Sequence, residues 1–345
     1  MEPRGYDYEI GVRGVVQAFL LAFVLRMSGL REVTQRCGAS LLNTDNFGSL
    51  SPVLGRASMT AFVRRFVEQL EDRHEPAAGE LIAIDGMALT LPKTVRHRCK
   101  KFNNKTVGGG VIWAFWIDAP AGACPVKVLK VVEGAWHDGH EMRGVALRSG
   151  PVYLMDSGFY TLALLAEWIE AQVRFVVRAK AGSLVYETLK THRHPQRVGA
   201  VRVEFDGLVR LGGAQAKAHP VVRLIQAVLP DGQKLILTTT EWTWSTAEVL
   251  AAYRKRWQIE RFHRFIKETV GLAHLYSFQQ NGLTFLLYTA LLLALLLFFA
   301  EDNPEGLTVD VLRQALKALR AAFGLGTVWR RNTYAARKAK KRTNL

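Results

Sequence analysis

The sequence predicts an α/β protein: a mixed sheet flanked by helices, with a helical region ahead of it and an all-β insertion before its last long helices. Three observations predict this. Apolar residues recur at three- and four-residue steps as far as about residue 75, the period then changes to that of strands, and helical spacing returns only at STAEVLAAY, from Ser245 onward.

In the first region, GVVQAFLLAFVLRM and SMTAFVRRFVEQLEDR carry the helical spacing, and Ser58 is placed to cap the second helix. NTDNFGSLSP between them reads as a loop. Such a pair of helices suits a DNA-binding module and equally an ordinary helical hairpin. HEPAAGE, residues 74–80, is a turn-rich break. ELIAIDGMALTLP then reads as a strand containing Asp85, and TVGGGVIWAFWIDA and PVKVLKVVEG as two more, the GVIWAFWI run being sheet core. DGHEMRGVALRSG reads as a helix, PVYLMDSGFY as a short buried strand ending on Asp156, TLALLAEWIEA as a helix and QVRFVVRAKAG as a strand. This β-β-β-α-β-α-β order is that of a ribonuclease-H-like sheet. Residues 183–240 read as strands again, with Asp206-Gly207 and Pro230-Asp231-Gly232 as hairpin turns. Helix resumes through residue 271, with Ser245 and Glu248 as a capping box.

The expected organisation is therefore a helical region at 1–78 (a candidate DNA-binding module), an α/β domain at 79–182 and 241–300, a β insertion at 183–240, and a helical, basic tail at 301–345. About half of the 345 residues are apolar, enough for a large core. Lys and Arg outnumber Asp and Glu by 46 to 30, a formal charge of +16. That excess favours a polyanion, either nucleic acid or an acidic membrane face. Cys37, Cys99 and Cys124 are too few and too scattered for a disulfide framework or a CxxC knuckle, which fits a reducing cytosol. Residues 282–300, GLTFLLYTALLLALLLFFA, lack charge and are long enough to cross a bilayer, but the preferred reading is a helix buried inside a large domain.

Asp85 sits among the apolar neighbours Ile82, Ile84, Met87 and Leu89, and Asp156 closes another strand. A carboxylate in such a place costs stability unless it is paired, hydrogen-bonded or bound to a cation. Alone, each reads as a capping acid. With Glu260 on a following helix, the pair reads as a set. On a continuous helix Tyr253, Arg256, Glu260 and Lys267 fall within an arc of roughly 60°, with His263 and Arg264 near its edges and Ile259, Phe262 and Ile266 opposite. Glu260 thus lies among cations, where an ordinary Arg256–Glu260 ion pair is the bland alternative. Three converging carboxylates are able to hold divalent cations for in-line phosphoryl displacement, and Mg²⁺ suits such ligands.

YxxRxxxExxxxxxK, filled by Tyr253, Arg256, Glu260 and Lys267, resembles the signature of DDE transposases of the insertion-sequence-four family. IDGMAL around Asp85 and LMDSGFY around Asp156 resemble that family's first and second acid motifs. The resemblance spans residues 80–270. It implies a ribonuclease-H-like catalytic domain with a β-rich insertion between the second Asp and the Glu. It implies Asp85, Asp156 and Glu260 as catalytic, metal-binding acids for two Mg²⁺ ions, with Mn²⁺ as a substitute. It further implies Tyr253, Arg256 and Lys267 as DNA contacts, to which Trp257 and Arg264 are added; double-stranded DNA, as terminal inverted repeats and target, as partner; a homodimeric synaptic complex; and a bacterial cytoplasmic, nucleoid-associated location with no membrane. Two other classes are a non-catalytic ribonuclease-H-like DNA-binding protein and a basic protein anchored through residues 282–300. His137 and His140, and His192 and His194, have no zinc spacing and read as bland, and Trp242 and Trp244 read as core. The basic loop 93–105 and the tail RRNTYAARKAKKRTNL suit phosphate contact.

Overall fold

The computed structural model describes residues 11–27, 29–42, 47–71, 75–89, 101–102, 105–106, 109–119, 123–133, 138–272, 280–300 and 309–322. The tail, most of the 93–105 loop, His137 and Cys99 lie outside them. The first region is four helices: α1 (Val12–Val24), α2 (Leu30–Cys37, running into a π-helical turn at Gly38–Leu42), α3 (Phe47–Leu54) and α4 (Ala57–Glu71). Two expectations change here. Helices occupy much of the stretch read as a loop, and Ser58 lies inside α4, so it is not its cap. Burial of Leu50, Val53 and Leu54 in the core explains α3 despite Pro52, since packing outweighs propensity.

The strands follow as β1 (Leu81–Leu89), a small hairpin of β2 (Lys101–Phe102) and β3 (Lys105–Thr106), then β4 (Gly109–Trp116) and β5 (Val126–Glu133). Of the helix expected at 138–150 only one turn forms, α5 (Asp138–Glu141); positive φ at Gly144 and Gly150 suits the turns that follow it. Next come β6 (Val152–Met155), α6 (Leu162–Glu170, capped by the Thr161 hydroxyl) and β7 (Arg174–Arg178). The β-rich region supplies β8 (Tyr186–Thr191), β9 (Arg197–Val198), β10 (Val201–Leu211), β11 (Val221–Val228) and β12 (Lys234–Thr239). The chain closes with α7 (Thr246–Lys255), α8 (Trp257–Arg264), a π-helical turn at Phe265–Val270, α9 (Gln280–Ala300) and α10 (Val309–Ala322).

The mixed α/β architecture is the expected one. β1 pairs antiparallel with β4 and parallel with β6, giving the order β5-β4-β1-β6-β7. The region read as an insertion continues this sheet: β12 pairs with β7, and the order runs on through β11 and β10 to β8. Pro230-Asp231-Gly232 makes the expected hairpin, with Gly232 at φ +82°. Asp206-Gly207 does not turn; it lies within β10, where a Cβ on Gly207 would stand 2.5 Å from the Lys190 carbonyl of the adjacent strand.

Apolar residues alternate between the two faces of the sheet, and each face has its own core. Ile82, Ile84, Tyr153 and Met155 pack with α6, whereas Ala83, Met87, Trp113 and Leu154 pack toward the other helices. The apolar helix α9 stands in that second core, packed on α4, α1, α3 and α10 and on the turn at 265–270. It is long and apolar enough to cross a membrane, yet 83% of that stretch is buried inside the protein. From α10, the buried Arg320 guanidinium donates to the carbonyls of Phe23, Val24 and Thr269, which ties the end of α1 to the turn after α8.

Candidate active site

Parity and register bring the two aspartates together. On β1, Asp85 shares a face with Ala83 and Met87; in extended backbone just beyond β6, Asp156 shares that face with Leu154. The parallel register runs from Leu81 opposite Val152 to Ile84 opposite Met155, so Asp85 and Asp156 are the next pair along. Both point toward the helices, and α8 crosses β1 above them. The long helix expected here is interrupted at Arg256 and loosens into a π-helical turn after Arg264, so a single 100° step does not describe it.

The face around Glu260 is also less exposed than expected. Instead of a solvated face, Tyr253 and Arg256 are buried, while Glu260 and Lys267 are half-buried and Trp257 and Arg264 exposed. Arg256 Nη2 donates to Glu260 Oε1 at 2.6 Å, and its guanidinium lies 5.5 Å over the Tyr253 ring. The Tyr253 hydroxyl donates to Asp156 Oδ1 over a long 3.5 Å. One buried guanidinium is therefore shared electrostatically among Asp156, Glu260 and Asp85. Its Nε and Nη1 are buried without a well-formed hydrogen bond to any described residue.

Burial pushes the Asp85 carboxyl up to about 7; Arg256 and the Gly86 N–H pull it down, and Glu260 and Asp138 push it up. Burial also lifts the Tyr253 hydroxyl to about 12. His263 approaches from α8, its Nδ1 3.6 Å from Asp85 Oδ2. Burial, with Lys267 and Arg256 nearby, holds that imidazole down at about 3, so it is neutral and the contact is neither an ion pair nor a normal hydrogen bond. Trp113 lies opposite Asp85 on β4 and packs against Phe262 and His263, giving the site an apolar floor.

The helix is fastened at both ends of the break. Thr246, in the first turn of α7, donates to Asp206 Oδ2 at 2.8 Å, and the expected Ser245–Glu248 capping box is formed. Lys255 and Gln258 both donate to Asp118, at 2.7 and 3.2 Å, where β4 ends. Trp244 packs against the core with Arg174 over its ring, whereas Trp242 is half exposed, contrary to the core reading.

The donor chemistry of the acids fits a hard divalent cation. No group of three or more His, Cys, Asp or Glu among the described residues lies close enough to share one ion, and Arg256 stands between the acids. Mg²⁺ ordinarily takes only one or two carboxylates, completing its shell with water and phosphate, so it does not require three acids to converge on one ion. Sequence reasoning put His263 at the edge of the Glu260 face without its contact to Asp85, and did not foresee the charge of Asp138 near Asp85. Neither follows a recognisable motif, and HDGHE drew notice only for its histidines.

A family model described as "Transposase DDE domain" matches residues 78–297, a stretch that contains Asp85, Asp156 and Glu260. The chain is 25% identical over 206 residues to "Putative transposase y4zB" of Sinorhizobium fredii (strain NBRC 101917 / NGR234), covering 59% of this chain and 57% of that protein. It is 21% identical over 187 residues to "Probable transposase for insertion sequence element IS5377" of Geobacillus stearothermophilus, covering 54% of this chain and 48% of that protein. The chain thus spans about half the length of these relatives.

Proposed function

The chain belongs to the DDE transposase family, and from that premise we infer that it catalyses metal-dependent phosphodiester hydrolysis and strand transfer at the ends of an insertion sequence, moving it by cutting and pasting. The observation that carries this reading is the pairing of Asp85 with Asp156 at one level of the sheet, with Glu260 held over them through Arg256. The spacing of Tyr253, Arg256, Glu260 and Lys267 supports membership of the insertion-sequence-four branch. One relative's name, a transposase for an insertion sequence element, agrees with the substrate.

Asp85, Asp156 and Glu260 would hold two Mg²⁺ ions, or Mn²⁺ in their place. Such ions neutralise charge on the attacking and leaving oxygens of an in-line displacement. The protein's own residues prepare that site. Tyr253 orients Asp156, Arg256 orients Glu260, and the apolar floor of Trp113 and Phe262 limits water at Asp85. The Arg256 guanidinium puts a fixed positive charge among the acids, which favours a phosphate brought to them. Arg264 and Trp257 extend the contact from the exposed side of α8, and Lys267 continues it past the π-helical turn. The partner is double-stranded DNA, bound as inverted repeats and target in a homodimeric synaptic complex in the bacterial cytoplasm.

Purified protein incubated with duplexes from the ends of the surrounding element should nick them with Mg²⁺ or Mn²⁺ and be inert with EDTA. Glu260→Gln should bind the same duplexes and not cut them. Binding without cutting by the wild type would favour a non-catalytic DNA-binding protein instead.

A further inference from the structure

The Asp85 carboxylate has two polar contacts among the described residues. The Gly86 N–H donates to Oδ1 at 2.9 Å, and His263 Nδ1 stands 3.6 Å from Oδ2. Each oxygen therefore meets one nitrogen. The first contact comes from the next residue in the chain, whereas the second is delivered by α8, which crosses β1.

His263 is the one polar side chain in the buried set of α8, beside Ile259 and Phe262, and it is 7% exposed. Its Nε2 is buried without a hydrogen bond to any described residue. A buried polar atom left unpaired costs stability. The ring packs on Trp113 with 5.9 Å between centroids, a contact that an apolar side chain would make without that cost. Packing thus accounts for a buried ring here, but not for a ring with two nitrogens. What the nitrogens add is a donor at Asp85. His263 follows Glu260 by three residues, close to one helical turn, so the helix that carries the third acid also reaches the first. At 3.6 Å the contact is about 0.6 Å longer than an ordinary N–H···O bond. Hydrogen bonds at catalytic sites are often long until the substrate binds, and tighten on it.

We propose that His263 is a positioning residue of the acid site, its Nδ1–H donating to Asp85 Oδ2 so that the carboxylate is held between the imidazole and the Gly86 N–H, with a lone pair on each oxygen left for a divalent cation. The inference rests on the reading of Asp85 as a cation ligand. A carboxylate oxygen accepts more than one bond, so a donor on each does not block coordination. His263 acts through Asp85, as the hydrogen-bond partners of metal ligands do, and loss of such partners typically lowers metal affinity by about 10- to 100-fold.

The test is a Mn²⁺ titration of the full-length protein with end duplex present, read by electron paramagnetic resonance of free Mn²⁺, beside urea melts of each variant. His263→Asn puts an amide N–H near the place of Nδ1, His263→Gln puts one near that of Nε2, and His263→Leu removes both. The Leu and Gln variants should raise the half-saturating Mn²⁺ concentration by about 10- to 100-fold, while the Asn variant stays within about threefold of wild type. His263→Leu should also unfold at a urea concentration no lower than the wild type's, because it removes an unpaired buried nitrogen. Half-saturation within about twofold of wild type in either the Leu or the Gln variant overturns the proposal. So does an Asn variant as impaired as the Gln variant, which would make the ring a packing group alone. If His263→Leu does not fold, the Asn and Gln variants decide by themselves. Asp85→Asn run in parallel separates the two readings. If it binds Mn²⁺ as the wild type does, the acid site itself is misassigned; if it loses Mn²⁺ while His263→Leu and His263→Gln titrate as wild type, only the role of His263 fails.

Discussion

Two arginines in this protein are equally buried and differently treated. Arg223, in β11, has 5% of its side chain exposed, and Arg256, between α7 and α8, has 7%. Arg223 donates from Nε and Nη2 to the two oxygens of Asp206 at 2.8 and 2.6 Å, and from Nη1 to the carbonyls of Glu241 and Trp244. Asp206 in turn accepts from Thr246. Arg256 has one short bond, to Glu260, lies over the Tyr253 ring, and has two nitrogens without a well-formed hydrogen bond to any described residue. A buried guanidinium without partners costs stability. The Arg223 cluster offsets that cost within the chain and so fixes the fold, whereas the Arg256 cluster leaves donors and acids facing one another imperfectly, as a site that completes itself on a ligand would.

The largest effect that sharpens the contrast is on catalysis. Glu260→Gln keeps an oxygen for Arg256 to bind, so its stability in urea should change by less than about 1 kcal/mol, while end cleavage falls by at least about 10⁴-fold, roughly 5.5 kcal/mol in the barrier. A variant that lost folding and cleavage together would make Glu260 a structural partner like Asp206.

Next in size is the stability difference between the arginines. Arg223→Met strands Asp206 in the core and should lower unfolding free energy by about 3–5 kcal/mol. Arg256→Met removes a guanidinium that is itself poorly satisfied, beside a Glu260 that is 29% exposed, and should cost no more than about 1 kcal/mol. Equal losses in urea melts of the two variants would break the comparison.

Acid should separate the regions a third way. Burial opposes ionisation of Asp206, but Arg223 and Thr246 outweigh it and hold the carboxyl below its usual range. Its contribution is therefore present above the unfolded pKa and lost as pH falls through the lower folded one, because the unfolded chain then binds more protons. Lowering the pH from about 6 to below about 4 should narrow the stability gap between wild type and Asp206→Asn. A gap that stays constant in urea melts over that range would show that the charge on Asp206 contributes nothing.

What was legible in the sequence follows the range of the forces involved. Alternation around Ile82, Ile84 and Met155 marked the strands, but that Asp85 and Asp156 share a face came only with the β1–β6 register, which depends on strands distant in sequence. The Ser245–Glu248 cap was legible because it is local. Three Asp-Gly pairs show where locality ends. Asp231-Gly232 turns a hairpin, Asp206-Gly207 lies mid-strand, and Asp138-Gly139 opens a helical turn against Gly86 and Gly158. Only contacts distant in sequence, with Arg223 in one case and with Gly86 and Gly158 in another, decide among them. The break at Arg256 and the pairing of β12 with β7 were hidden likewise, since each depends on tertiary packing.

The smallest stability effect belongs to the exposed rim of the Arg256 region. Trp257 is 55% exposed immediately beside that arginine, a poor place for a large apolar ring in a chain that otherwise buries Trp113 and Trp168 almost completely. If the ring serves only packing, Trp257→Ala should lower stability in proportion to the apolar area it loses. If it lies on the DNA, stability should stay within about 0.5 kcal/mol, while affinity for end duplex falls by about 1–3 kcal/mol, the range for loss of an aromatic–base contact. Urea melts and duplex titration of the same preparation decide it. Loss of stability with affinity intact would assign Trp257 to the frame around Arg223, not to the site around Arg256, and move the boundary between the two regions to the start of α8.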